Sequence, residues 1–359
     1  MTEALGPSIF TGWPAVLSQL FRREDLSSPL AGATFDAILS GESKPTQIAA
    51  FVAALKTKGE TVEEITGFVE AMRRAGEHVE LHIDAIDTCG TGGDRSTTIN
   101  VSTSAALVAV GAGAVVAKHG GRAASSQSGS ADVLEALGVA IELGPDEVRQ
   151  CIESVGIGFC FAPRFHPAMR FVAPVRSELG VPTIFNILGP LANPAGVTRQ
   201  VVGVGDPSMA EKMLGVLEAF GSHHAIVCYG NDGLDELSTV TSSTIFESIL
   251  SADGMRVRRS YQLDPRDFDL KPARLADLQG GTAAHNAERL RAVLAGERGA
   301  QRDIVLLNAA AALVVADIAT DIAEGLTLSE KSVDSGAALA ALEHLVSRSR
   351  ELGAMSSPV

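Results

Sequence analysis

Apolar positions in the first part of the chain recur with the period of amphipathic helices. In TVEEITGFVEAMRRAG, Ile65, Phe68, Val69 and Met72 share one face, and Thr61 and Glu64 have the spacing of a capping box. Arg73 and Arg74 stand at the C-terminal end, before Gly76, where they complement the helix dipole. SSPLAGATFDAILSG predicts another helix, with Ser28 as N-cap, Pro29 at the first helical position and Gly41 as the stop. Residues up to about Gly76 therefore read as helix after helix. The pattern changes at IDAIDTCGTGGD, where a short run holding Ile83 and Ile86 enters a glycine turn. INVSTSAALVAVGAGAVVAKHGG then predicts a helix of small residues that runs into a strand, Val115 to Ala117. From there to the end, helical patterns such as SADVLEALG and SMAEKMLGVLEAFG alternate with strand-like runs such as VAIEL, VVGVG and HAIVCYG. That alternation is the mark of an α/β domain. HPAMRFVAPVRSELG breaks it, with a helix start at Pro167 and a stop at Gly180, followed by the Pro-rich VPTIFNILGPLANPAG. The expected organisation is a helical domain over residues 1–82, an α/β domain with a central sheet over 83–359, and a helical insertion at about 164–190 that rejoins the first domain.

Composition narrows the function. Of 359 residues, 46% are hydrophobic and only 4% aromatic, so the core must be built from Ala, Val, Leu and Ile. A net charge of -14 and a pI near 5.0 argue against broad electrostatic binding of nucleic acid or an anionic membrane. Cys89, Cys151, Cys160 and Cys228 form no CxxC pair and read as reduced structural thiols of a cytoplasmic protein. The N-terminal segment lacks the pattern of a signal peptide. The longest apolar run, Ala105 to Ala117, is shorter than the ~18 residues a membrane span needs. A soluble protein is expected.

Against that acidic background, KHGGRAASSQSGSAD (Lys118 to Asp132) stands out. Lys118 and Arg122 can neutralise phosphate, and Ser125, Ser126, Ser128 and Ser130 offer hydroxyls. His119 follows a buried strand and fits a hydrogen-bonded structural role as well as a catalytic one. Upstream, DTCGTGGD brings a strand into Gly90, Gly92 and Gly93, whose backbone N–H groups can approach an anion; taken alone, an ordinary tight turn explains it equally well. Asp94 can cap the next helix or bind sugar hydroxyls. Asn100, Ser102 and Thr103 stand at a helix start, where plain N-capping explains any one of them. In GNDGLDELS, Asp235 and Glu236 are adjacent carboxylates in a loop after a strand, suited to a hard cation such as Mg²⁺ or, alternatively, simply solvated. Arg164, Arg170 and Arg176 flank the HPAM segment, where a guanidinium can grip a carboxylate in bidentate fashion. Together the pieces suit a polyanionic ligand with Mg²⁺.

In order and wording these motifs resemble the anthranilate phosphoribosyltransferase family over nearly the whole chain: GESKPTQIAAFVAALKTKGET, GTGGD, NVST, KHGGRAASS, GSADVLEALG, FAPRFHPAM, TIFNILGPLANPA, GLDELS and LLNAAAAL. The resemblance implies a nucleoside phosphorylase/phosphoribosyltransferase-like fold. Its active site would lie in the cleft between the two domains, and a homodimer would form through the helical part. It implies phosphoribosyl pyrophosphate and anthranilate as substrates, Mg²⁺ as cofactor, and a place in tryptophan biosynthesis. It further implies that Gly90, Gly93, Asp94, Thr98, Asn100, Val101, Ser102 and Thr103 contact phosphoribosyl pyrophosphate. Lys118, His119, Gly120, Gly121, Arg122, Ala123, Ala124, Ser125 and Ser126 would wrap its phosphates, helped by Ser130. Ser102, Asp235 and Glu236 would bind the metal, and Arg176 would face the anthranilate carboxylate, with Gly90 near the ring.

One position departs from the family pattern. K-H-G-N-R is usual, and this sequence has Gly121 in place of the asparagine. The resemblance places that asparagine against the acceptor, so a hydrogen bond worth about 0.5–1.5 kcal/mol is missing. Transfer to another aromatic amine therefore stays open, as does a pyrimidine nucleoside phosphorylase of the same fold. The acid pair and the full GTGGD favour a diphosphate substrate. A nucleic-acid-binding relative would want a basic surface.

Overall fold

The computed structural model describes residues 9–92, 97–123 and 127–356. Four helices, Trp13–Phe21, Ser28–Leu39, Pro45–Lys58 and Val62–Ala75, open the described chain. The capping box forms as its spacing predicts: Glu64 N–H donates to Thr61 Oγ1 at 3.2 Å, and Thr61 N–H donates to Glu64 Oε2 at 2.9 Å. The same carboxylate reaches further. Its other oxygen accepts from Leu26 N–H at 2.9 Å, and Lys58 Nζ bridges Glu64 at 3.0 Å and Asp25 at 2.6 Å. One buried acid thus ties three helix ends together. The scarce aromatics concentrate here, with Trp13, Phe35, Phe51 and Phe68 packed ring to ring.

Among the described residues the strands form one seven-stranded sheet: β1 (Ile86–Gly90), β2 (Val116–Gly120), β3 (Ile157–Phe161), β4 (Arg199–Gly203), β5 (His224–Gly230), β6 (Ser243–Leu250) and β7 (Arg256–Leu263). The order is β3-β2-β1-β4-β5-β6-β7, parallel through β5 and antiparallel for the last two. The chain builds outward from β1 in one direction and then resumes with β4 on its other side. Such a reversal leaves a crevice at the carboxyl ends of β1 and β4, the favoured ligand position in open α/β sheets. Alternate residues of β4 and β5 face opposite cores. Val201 and Ile226 join the small-residue helices Val101–Gly111 and Ala300–Val315, while Val202, Ala225 and Val227 join the N-terminal helices.

Between β3 and β4 run Ala162–Phe165, a 3-10 turn Pro167–Phe171, Ala173–Leu179 and Phe185–Leu191. Val172, Val175, Phe185 and Leu188 are buried in the same apolar cluster as the N-terminal helices. Phe185 sits 5.9 Å from Phe35, ring to ring.

Several local expectations shift. The second helix takes Ser27 as N-cap, one residue before Ser28, and no side-chain cap bond forms. The strand expected at Val115 begins at Val116 and continues to Gly120. VAIEL forms no strand. Val139, Ile141 and Leu143 are buried alternately, but among the described residues this segment has no ladder neighbour, so alternation marks one-sided burial there. The helix–strand alternation also stops at Leu263. Ala283–Leu294, Ala300–Val315, Ile322–Asp334 and Ala337–Ser356 are all helical, and much of this region covers one face of the sheet.

Candidate functional site

A cleft of about 310 Å³ opens at the carboxyl ends of β1 and β2. Its floor is Cys89 to Gly92 and Lys118 to Gly121. Its sides are the N-termini of the helices Val101–Gly111 and Ser130–Leu137, and Phe185, Asn186 and Gly189 from the inserted helices line it too. Two helix N-termini facing one cleft present backbone N–H groups and positive dipole ends to an anion.

Most residues singled out in the sequence meet here. Gly90, Thr98, Asn100, Val101, Ser102, Lys118, His119, Gly120, Gly121, Arg122, Ala123, Ser130, Arg176, Asp235 and Glu236 all line the cleft. Gly93, Asp94, Ala124, Ser125 and Ser126 lie outside the described residues. Thr103 does not line the cleft. It is 1% exposed, one residue past Ser102 on the helix, which turns it into the core.

The acid pair arrives from 143 residues downstream. Gly92 N–H donates to Asp235 Oδ2 at 2.7 Å, and Ser102 N–H donates to Glu236 Oε1 at 3.2 Å. The close approach depends on missing side chains. A Cβ on Gly90 would stand 2.4 Å from Asp235 Oδ2, and one on Gly203 would stand 1.6 Å from the Asp235 carbonyl oxygen. Both glycines end strands, which allows the acidic loop to lie across the strand ends. Two adjacent carboxylates and a serine hydroxyl lining one cleft are a hard-oxygen donor set that fits Mg²⁺, which usually completes its shell with water and substrate phosphate. Among the described residues, no three His, Cys, Asp or Glu side chains form a metal cage by themselves.

The expected cations behave differently from one another. Lys118 is 1% exposed, and its ammonium donates to the Thr88 carbonyl at 2.5 Å beneath the cleft floor. Arg122 is held by Asp132 at 2.9 Å and Glu135 at 2.8 Å, and these partners raise its pKa further. Asp132 also accepts from the N–H groups of Ala123 at 2.9 Å and Gly129 at 2.8 Å. Arg122 and Asp132 therefore shape the loop, and sequence inspection gave no reason to single out Asp132 for this. Of the three arginines around HPAM, Arg164 pairs with Glu77, and Arg170 donates to Pro167 O and lies over Phe171. Arg176 alone of these lines the cleft. It is half-buried, its pKa is lowered by desolvation, and among the described residues its guanidinium has no hydrogen-bond or ion-pair partner. That leaves it available for a ligand carboxylate.

Asn100 is the N-terminal flanking residue of its helix, yet its side chain does not cap it. Nδ2 donates to Ser128 O at 3.1 Å and Oδ1 accepts from Asn286 at 2.8 Å, so Asn100 ties the Ser128 loop to the helix Ala283–Leu294. His119 is buried, its Nδ1 is 3.0 Å from the Gly189 carbonyl, and its ring packs edge-on against His166. Burial, together with the neighbouring His166, lowers its pKa to about 3, so the ring is neutral at physiological pH. Thr91, Ser128, Asn186 and Ala162 also line the cleft. Their signal lay in the quoted stretches around them; nothing in residue type alone marked Ala162.

The fold and the site define a glycosyltransferase with a helical-bundle domain. Residues 14–76 match the helical bundle domain, and residues 82–339 the a/b domain, of the glycosyl transferase family. An anthranilate phosphoribosyltransferase of a Roseiflexus species is 49% identical over 333 residues, spanning 92% of this chain and 96% of that one. The enzyme of Rubrobacter xylanophilus is 52% identical over 330 residues, spanning 92% and 95%. The crystal structure of the Thermus thermophilus enzyme superposes with a TM-score of 0.86 at 41% identity, covering 93% of this chain and 99% of that one. The Saccharomyces cerevisiae enzyme in complex with PRPP and Mg gives 0.86 at 30% identity, covering 94% and 98%. The chain belongs to the anthranilate phosphoribosyltransferase family.

Proposed function

We propose that this protein transfers the 5-phosphoribosyl group of phosphoribosyl pyrophosphate to the amine of anthranilate, releasing pyrophosphate, in tryptophan biosynthesis. The observation that carries this is the seating of Asp235 and Glu236 on the amides of Gly92 and Ser102, in the same cleft as the half-buried Arg176. A diphosphate-binding end and a carboxylate-binding end thus share one cavity.

The aromatic amine is neutral and nucleophilic near pH 7, so attack on C1 of the ribose needs no strong base. His119 suits this chemistry: its ring is neutral, held by Gly189, and serves as part of the wall. The barrier lies in charge development on the departing diphosphate and the oxocarbenium-like sugar. The positive dipole ends of the two helices that face the cleft stabilise the leaving charge, because they are fixed before reaction. Asp235, Glu236 and Ser102 would hold Mg²⁺, which when bound neutralises diphosphate charge. Arg176 orients anthranilate by its carboxylate, so that much of the remaining barrier is met by positioning.

We also place the enzyme in the cytoplasm as a homodimer. Four buried free thiols support a reducing compartment, and exposed Ile9 and Phe21 at the first helix support an interface on the helical part. Light scattering of the purified chain tests the dimer.

The decisive assay follows loss of anthranilate fluorescence with phosphoribosyl pyrophosphate and Mg²⁺. Metal-dependent loss in the parent chain, abolished in Asp235→Asn/Glu236→Gln, is the expected result. Binding of phosphoribosyl pyrophosphate without any consumption of anthranilate would overturn the assignment of the acceptor.

A further inference from the structure

A second cavity, of about 220 Å³, backs onto the glycine turn. Thr91, Gly92 and Asn186 line both it and the substrate cleft. Its other walls come from distant parts of the chain: Lys56 and Glu60 from the helical part, Thr183, Ile184 and Ile187 from the inserted segment, and Asp206 and Met209 beyond β4. Ile184, Ile187 and Met209 are buried and give it an apolar body. At its solvent-exposed edge the Lys56 ammonium pairs with Asp206 at 3.3 Å.

Two polar groups in this cavity are unused by the fold. Glu60 is 4% exposed, and among the described residues its carboxylate makes no hydrogen bond or ion pair. Thr183 Oγ1 is buried and likewise has no hydrogen-bond partner among them. Glu60 therefore faces the cavity as an un-neutralised carboxylate, in contrast to Glu64, whose oxygens are all engaged within the protein. Lys56 is close in sequence, but its charge is committed to Asp206.

We propose that this cavity binds a small organic ammonium ion. The ammonium donates to the Glu60 carboxylate and the Thr183 hydroxyl, and an apolar body the size of one aromatic ring packs on Ile184, Ile187 and Met209. Anions are rejected by Glu60, so the cavity is not an overflow for the substrates of the main cleft. Thr91 and Gly92 form the shared wall, so occupancy biases the glycine turn and changes the apparent affinity for the phosphoribosyl donor. That coupling rests on the function proposed above; binding of the ammonium ion does not.

Calorimetric titration of the full chain with benzylamine, which is protonated at neutral pH, tests the site, with benzyl alcohol and benzoate as isosteric controls. Saturable binding of benzylamine alone is expected. Glu60→Gln should weaken it about tenfold or more, as loss of a charge-assisted hydrogen bond does. Thr183→Val, which removes only the orphan hydroxyl, should weaken it less and decides the matter if Glu60→Gln fails to fold. Equal binding of benzyl alcohol, unchanged binding in the folded variants, or no saturable binding at millimolar benzylamine would overturn the proposal. In the transferase assay benzylamine should shift the KM for phosphoribosyl pyrophosphate. An unshifted KM at saturating benzylamine would overturn the coupling and leave the site standing.

Discussion

Gly121→Asn restores the residue usual in the family pattern, and the structure sets what it should do. Gly121 lines the substrate cleft and has no positive φ, so a side chain brings no backbone strain. Among the described residues a Cβ there would meet only Ala162 Cβ, at an ordinary 3.8 Å. The neighbouring Gly120 is different: its Cβ would lie 3.0 Å from Ser130 Cβ and 3.2 Å from the Phe159 ring. Position 121 therefore accepts asparagine without repacking. Loss of glycine's freedom in the unfolded chain adds about 0.4–1 kcal/mol of stability. If the amide reaches the acceptor, the new hydrogen bond contributes about 0.5–1.5 kcal/mol, a fall in the anthranilate KM of about 2- to 13-fold. The KM for phosphoribosyl pyrophosphate should not move. Gly121→Ala is the control, since it supplies the same backbone rigidity and no amide. Steady-state kinetics with each substrate varied in turn measures all of this. An unchanged or raised anthranilate KM in Gly121→Asn, or an equal fall in Gly121→Ala, would refute the reasoning.

Other positions give equally direct outcomes. Gly203→Ala places a Cβ 1.6 Å from the Asp235 carbonyl, which must move; displacing the acid pair by about 1 Å should cost on the order of 100-fold in kcat, and a magnesium titration identical to the parent's would contradict this. Lys58→Met removes the cation from the fully buried Glu64 and should destabilise the chain by about 3 kcal/mol in urea unfolding, with Lys58→Met/Glu64→Gln recovering part of the loss. Burial and, for His119, the neighbouring His166 lower the pKa of His119 from 6.5 to about 3; burial lowers that of His166 to about 4. The unfolded chain binds more protons than the native one between those values and 6.5, so their contribution is complete above pH 6.5. It falls as the pH drops toward 3–4, by at most ~1.4 kcal/mol per pH unit for each ring. Neither imidazole should titrate between pH 8 and pH 5 by NMR; a midpoint near 6.5 would show the assignment to be wrong.

Local signals in the sequence translated well where one face of an element meets one core. Thr61 and Glu64 form their capping box, and Ile65, Phe68, Val69 and Met72 are all buried, because helical period and burial coincide there. VAIEL failed because alternation reports burial on one side and says nothing about whether a strand lies alongside. The long helical stretch after Leu263 was hidden for a related reason: runs such as Ala309–Ala312 are buried all round and carry no period. Read from the residues alone, the site was legible only as separate anion-friendly loops, and it was the family resemblance that grouped them in one cleft. That Asp235 would reach Gly92 depends on β4 lying beside β1, and no local pattern encodes that neighbour.

The cations teach a second lesson about reading phosphate sites. Charge counting in KHGGRAASS assigns Lys118 and Arg122 to the ligand, yet both are engaged with the protein. Lys118 holds the Thr88 carbonyl, and Arg122 joins Asp132 in closing the loop through the amides of Ala123 and Gly129. Both still line the cleft, so they hold the backbone that shapes it as well as supplying positive field. Helix ends, once fixed, need no reorganisation when charge develops on the leaving diphosphate. The glycines of this site follow from the same requirement. At Gly90 and Gly203 they admit the Asp235 loop, and an alanine at either place would trade a little backbone entropy for the position of the acid proposed to hold the metal.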